Sequence, residues 1–106
     1  MRIAFIGGGV MAQAIISGVR DAELDASIIV GEPFEARRTS LVEDLGVEAT
    51  ASNKEAISGA DIIVLAVKPQ QLDSVAAELK GVLNSQQTIL SIMAGVKMHS
   101  IGLKLG

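Results

Sequence analysis

The short apolar run RIAFIG at residues 2–7 gives way to Gly7-Gly8-Gly9 and then at once to a segment of helical period, residues 10–20. A buried strand that enters a helix through consecutive glycines leaves few folds open. Residues 7–12 read GGGVMA, a GxGxxA pattern placed between strand and helix. In that setting Gly7 permits the tight turn, Gly9 lets backbone approach a pyrophosphate, and Ala12 keeps the helix near the strand. The unpaired N–H groups of the helix start and its dipole then favour phosphate.

The rest of the chain repeats the alternation. Strands are expected at residues 2–7, 27–31, 47–50, 61–66 and 88–92, each short and mostly rich in Ile or Val. Helices are expected between them at 10–20, at 35–45 ended by Gly46, at 53–58 stopped by Gly59, and from Pro69 onward, with a weaker one at 97–105. On the first helix Val10, Met11, Ala14, Ile15 and Gly18 are expected to form the face packed on the sheet. On the fourth, Leu72, Val75, Ala76 and Leu79 share one face.

Strand-helix repetition implies a parallel sheet covered on both faces, a Rossmann-type doubly wound α/β domain of three layers. Right-handed crossovers put strands two and three on one side of strand one and strand four on the other, giving the order 3-2-1-4-5. The crevice where open α/β sheets bind ligands then lies between the carboxyl ends of strands one and four. Strand four ends in Ala66-Val67-Lys68-Pro69, so that tetrapeptide is expected to face the glycine turn. Pro69 biases Lys68 toward extended geometry, and Lys68 offers charge to a cofactor or substrate.

Composition narrows the function. All 106 residues are expected to form one domain, because a chain of this length builds a single modest core. A net charge of -3, with Phe5 and Phe34 as the aromatic residues, speaks against a nucleic-acid partner. Without cysteine there is neither a disulfide framework nor thiolate chemistry, and cytoplasm is the default compartment. The apolar N-terminus is too short for a signal peptide or membrane span. No acidic or histidine cluster has metal-ligand spacing, and His99, the single histidine, is assigned no function. Asp61, Asp73 and Glu78 are read as members of solvated faces.

Glu32 ends the second strand, where a carboxylate can bond the adenosine ribose diol and favour NAD over NADP. Arg37 and Arg38 begin the next helix and suit phosphate instead. A plain surface acid beside surface arginines is the third reading.

Three segments together carry a family resemblance: residues 5–12 (FIGGGVMA), Ala60-Asp61 leading into residues 66–69 (AVKP), and residues 91–96 (SIMAGV). With these the chain resembles the N-terminal domain of pyrroline-5-carboxylate reductases, over essentially its whole length. The resemblance implies that Ile6, Gly7, Gly8, Gly9, Val10 and Met11 hold the pyrophosphate of NADP or NAD. It implies that Asn53 approaches the adenosine side, and that Ala66, Val67, Lys68 and Pro69, with Met93, Ala94 and Gly95, line the nicotinamide end. The implied reaction is hydride transfer from the reduced nicotinamide to a C=N carbon, giving proline, and no protein acid is needed.

Two departures stand out. Val10 replaces a residue commonly polar in the family. The family's all-helical domain, which dimerises and completes the substrate pocket, is absent from these 106 residues, so the chain is expected to bind cofactor with little turnover and to oligomerise only with that domain. Deazaflavin-dependent NADP reductases and hydroxyisobutyrate-type dehydrogenases begin similarly, but the segments at 66–69 and 91–96 argue against both. A non-catalytic dinucleotide sensor is the reading from a different class.

Overall fold

The computed structural model describes residues 1–21, 26–83 and 86–91. Met93, Ala94, Gly95, His99 and the expected helix at 97–105 lie outside the described residues. The strands are β1 (Arg2–Ile6), β2 (Ser27–Gly31), β3 (Glu48–Thr50), β4 (Ile62–Leu65) and β5 (Thr88–Ser91). The α-helices are α1 (Val10–Asp21), α2 (Glu35–Leu45), α3 (Asn53–Ile57) and α4 (Leu72–Leu79). The five strands form one sheet in the order β3-β2-β1-β4-β5, and every adjacent pair is parallel. The expected architecture and strand order are both observed.

Strand chemistry explains the order. The inner strands β1, β2 and β4 are covered on both faces, so apolar side chains suit every position past their first residue. Ala4, Ile6, Ile29, Ile63 and Leu65 point to one face and pack with Ala56, Ile57, Leu72, Val75, Ala76 and Leu79 of α3 and α4. The alternate residues Ile3, Phe5, Ile28, Val30 and Val64 meet Ala12, Ile16 and Leu41 of α1 and α2. A period of two along each strand thus divides the core into two apolar layers. On the edge strand β5, whose outer side has no partner among the described residues, Thr88 and Leu90 are exposed.

The face of α1 differs from expectation. Ala12 and Ile16 are its buried residues, flanked by partly buried Ile15 and Val19. Val10, Met11, Ala14 and Gly18 are exposed instead. The glycine turn fixes the rotation of the helix as it leaves β1, and that rotation brings Ala12 onto the sheet while Val10 and Met11 stand at the crevice mouth. Pro69 likewise opens a 3-10 turn, Pro69–Gln71, before α4 begins at Leu72.

Two local devices hold the amino ends of the strands. Asp61 accepts the Arg2 backbone N–H at 2.8 Å through Oδ2, and its own N–H donates to the Arg2 carbonyl. Its carbonyl accepts from the Thr88 N–H, so a residue read as merely solvated clasps β1, β4 and β5. Gln87 donates from Nε2 to the carbonyls of Ile57 and Ala60 at 2.9 and 3.0 Å, closing the end of α3 against the entrance to β5. Asp61→Ala removes one side-chain acceptor and should lower unfolding stability by about 0.5–1.5 kcal/mol, read as a lower urea midpoint with unchanged slope.

Candidate functional site: the glycine crevice

At the carboxyl edge of the sheet the strand ends are locked in register before they turn away. The Gly7 N–H donates to the Gly31 carbonyl at 2.8 Å, the Ala66 N–H to the Ile6 carbonyl at 2.9 Å, and the Glu32 N–H to the Thr50 carbonyl at 2.8 Å. The turn from β1 into α1 therefore emerges between the ends of β2 and β4. This is the topological switch point of the sheet.

The three glycines have different jobs. Gly7 has φ +99, and a Cβ built there would lie 2.7 Å from the Ala66 carbonyl oxygen and 3.3 Å from Val67 Cγ1. The turn thus rests directly on residues 66–67, as the sequence led us to expect. A Cβ on Gly8 would lie 2.7 Å from Leu41 Cδ1, so this glycine is pressed toward α2. Beside Gly9 a Cβ would meet nothing within 4 Å. Open space next to backbone, at the start of a helix whose first N–H groups have no intrahelical acceptors, is what an approaching phosphate requires.

Side chains set the turn. Gln13 donates from Nε2 to the Gly8 carbonyl at 2.9 Å. In a trans peptide the N–H lies opposite the C=O, so this bond also aims the Gly9 N–H away from Gln13. Sequence reasoning missed Gln13; its place one turn of helix beyond Gly9 was the available signal. Val10 is 84% exposed and Met11 60% exposed, leaving both free to cover a bound group.

Glu32 corrects the surface-acid reading. It is 2% exposed, the buried charged residue of the described core, and not a surface acid. Oε1 accepts the Gly8 N–H at 3.0 Å and the Arg37 guanidinium at 3.2 Å, and Oε2 accepts the Phe34 N–H at 3.0 Å. The carboxylate is turned inward onto the glycine turn. Paired and multiply bonded, a buried charge is tolerable. Arg38 donates from Nη1 to the carbonyls of Glu32 and Pro33, strapping the same turn.

Asn53 opens α3 beside Gly31, with its amide oxygen where a side chain on that glycine would fall. Its Nδ2 donates to Glu78 Oε2 of α4 at 3.1 Å. Glu78 is therefore half-buried and bonded across two helices, not simply part of a solvated face. Lys68 is exposed just beyond β4. Its N–H donates to Gln71 Oε1, and its carbonyl accepts the Gln71 N–H. These two bonds set Lys68 at the head of the 3-10 turn that Pro69 opens. Among the described residues no group of His, Asp and Glu could hold a metal, and no helix is long and apolar enough to cross a membrane.

The parallel sheet, the glycine turn at its switch point and the open space beside Gly9 define a Rossmann-type α/β domain. The sequence matches the family described as NADP oxidoreductase coenzyme F420-dependent over residues 2–95. The chain belongs to this family. It is 38% identical to a pyrroline-5-carboxylate reductase of Pseudomonas aeruginosa over 106 residues, covering 99% of this chain and 39% of that protein. A pyrroline-5-carboxylate reductase structure from Coxiella burnetii superposes with a TM-score of 0.90 at 36% identity, covering 98% of this chain and 39% of the other. The Plasmodium falciparum pyrroline carboxylate reductase with NADP bound gives a TM-score of 0.82 at 26% identity, over 100% of this chain and 38% of the other. The chain thus spans well under half the length of these relatives.

Proposed function

We propose that residues 1–106 are the NAD(P)H-binding domain of a pyrroline-5-carboxylate reductase, acting in the cytoplasm. The observation that carries this reading is the contrast within one turn: Gly7 wedged against Ala66, Gly9 facing open space. The residues present fit a dinucleotide. Ile6 to Ala12 cradle its pyrophosphate through backbone N–H groups and the α1 dipole. Asn53 stands on the adenosine side, and residues 66–69, with Met93, Ala94 and Gly95, line the nicotinamide side. Glu32 serves the cofactor indirectly, by fixing Gly8.

When bound, the reduced nicotinamide supplies the hydride for the C=N carbon of the pyrroline, and the protein's task is orientation. Val10 and Met11 shield the turn from water, and Gln13 keeps the Gly9 amide aimed. The remainder of the substrate pocket, and dimer formation, belong in this reading to a helical domain outside these residues. The similarity at 38% identity to a named pyrroline-5-carboxylate reductase supports this substrate over a deazaflavin.

The test has two arms. Calorimetric titration of the 106-residue protein with NADPH and NADH should give saturable binding to one site per chain. Steady-state assay with 1-pyrroline-5-carboxylate should show little turnover unless a helical domain is supplied. Ordinary enzymic rates from the 106 residues alone would overturn the domain assignment. Absence of any dinucleotide binding would overturn the function.

A further inference from the structure

We infer that Glu78, on α4, is a positioning residue for the adenosine side: it fixes which end of the Asn53 amide a dinucleotide meets. This rests on the dinucleotide-binding reading above and adds a residue to it. Asn53 Nδ2 donates to Glu78 Oε2 at 3.1 Å. A carboxylate offers acceptors and no donor, so the amide nitrogen has to face Glu78. The amide oxygen is thereby turned the other way, onto Gly31.

Gly31 ends β2, and its carbonyl accepts the Gly7 N–H at 2.8 Å. The Asn53 oxygen therefore lies one strand away from the glycine turn, beside the proposed adenosine position. Gly31 is buried, and a side chain there would fall on that oxygen. Its missing Cβ is what admits the amide in this orientation. An asparagine has an acceptor end and a donor end, and a flipped amide would offer the adenosine half of the ligand a donor in place of an acceptor.

The backbone under Asn53 is already set. Ser52 Oγ accepts the Glu55 N–H, the Ser52 N–H donates to Thr50 Oγ1, and Thr50 Oγ1 donates to Glu55 Oε2. What these bonds leave free is the Asn53 side chain, and Glu78 removes that freedom before a ligand arrives. Glu78 stands on a firm base, since its neighbours Val75, Ala76 and Leu79 are buried in the apolar layer. Ordering one side chain in advance is worth about three- to tenfold in affinity.

Calorimetric titration with NADPH of the parent, Asn53→Ala, Glu78→Ala and the double variant tests this. Alanine suits a helix interior, so Glu78→Ala should keep the parent's circular dichroism spectrum. It should bind NADPH about three- to tenfold more weakly, and Asn53→Ala should lose at least as much. With Asn53→Ala already in place, adding Glu78→Ala should change the affinity by less than about twofold, because a residue that acts through Asn53 then has nothing to hold. A merely structural role would give the same loss in both backgrounds. Glu78→Met keeps the side chain's length without an acceptor and should repeat the pattern. Glu78→Gln restores an acceptor and should bind NADPH more tightly than Glu78→Ala. Unchanged affinity in either single alanine variant, equal losses in the two backgrounds, or Glu78→Gln no tighter than Glu78→Ala would overturn the proposal while sparing the dinucleotide reading. Failure of the parent to bind NADPH would overturn both.

Discussion

Gly9→Ala should unfold at the same urea midpoint as the parent, or slightly higher, and yet lose about tenfold or more in dinucleotide affinity, about 1.4 kcal/mol. No heavy atom lies within 4 Å of the position its methyl would take, so packing offers no penalty. Gly9 also lacks the left-handed backbone of its neighbour Gly7. Where alanine fits without strain it stabilises modestly, by restricting the unfolded chain. The methyl would nonetheless occupy the space through which a pyrophosphate reaches the α1 amides. Paired measurements of urea unfolding and of Kd for NADPH check the result. Unchanged affinity would mean that this space is not the phosphate cradle.

Two residues earlier the same substitution should have the opposite outcome. Gly7→Ala should destabilise the fold by about 2–5 kcal/mol, from strained backbone together with overpacking. Its φ of +99 is one that side chains rarely adopt, and the new Cβ would fall 2.7 Å from the Ala66 carbonyl oxygen. That carbonyl belongs to the backbone leaving β4, whose N–H is already bonded to Ile6. Relief would require separating β1 from β4 at the centre of the sheet. Chemical denaturation followed by circular dichroism measures the loss. A variant as stable as the parent would show that the turn is less tightly wedged than its geometry says.

The two substitutions also show how far sequence reaches. A GxGxxA pattern after a strand locates the crevice and already assigns the turn to Gly7 and the open approach to Gly9. Neighbours distant in sequence, Ala66 for Gly7 and Leu41 for Gly8, show what enforces those roles. The face of α1 was misread for a related reason. Apolar spacing marks Val10 and Met11 as candidates for burial, whereas the angle at which the helix leaves β1 places Ala12 and Ile16 inward.

Charged residues were the least legible. Glu32 can read as a surface acid until its 24-residue separation from Gly8 is closed by the β1–β2 pairing. Asp61 and Glu78 read as solvated until Arg2 and Asn53 are brought beside them. In each case burial or pairing comes from a strand or helix that local pattern does not specify.

The sequence by itself determined the alternation of strand and helix, the parallel sheet in the order 3-2-1-4-5, and the placement of Gly7-Gly8-Gly9 opposite residues 66–69. Those follow from hydrophobic period, glycine placement and crossover handedness, all local or chiral rules that act along the chain. The tertiary structure alone decided that Leu41 backs Gly8, that Gln13 aims the Gly9 amide, and that Glu32 turns inward while Arg37 faces out. Such choices depend on which hydrogen-bond donors converge on a buried carboxylate, and that convergence exists only after the strands have paired.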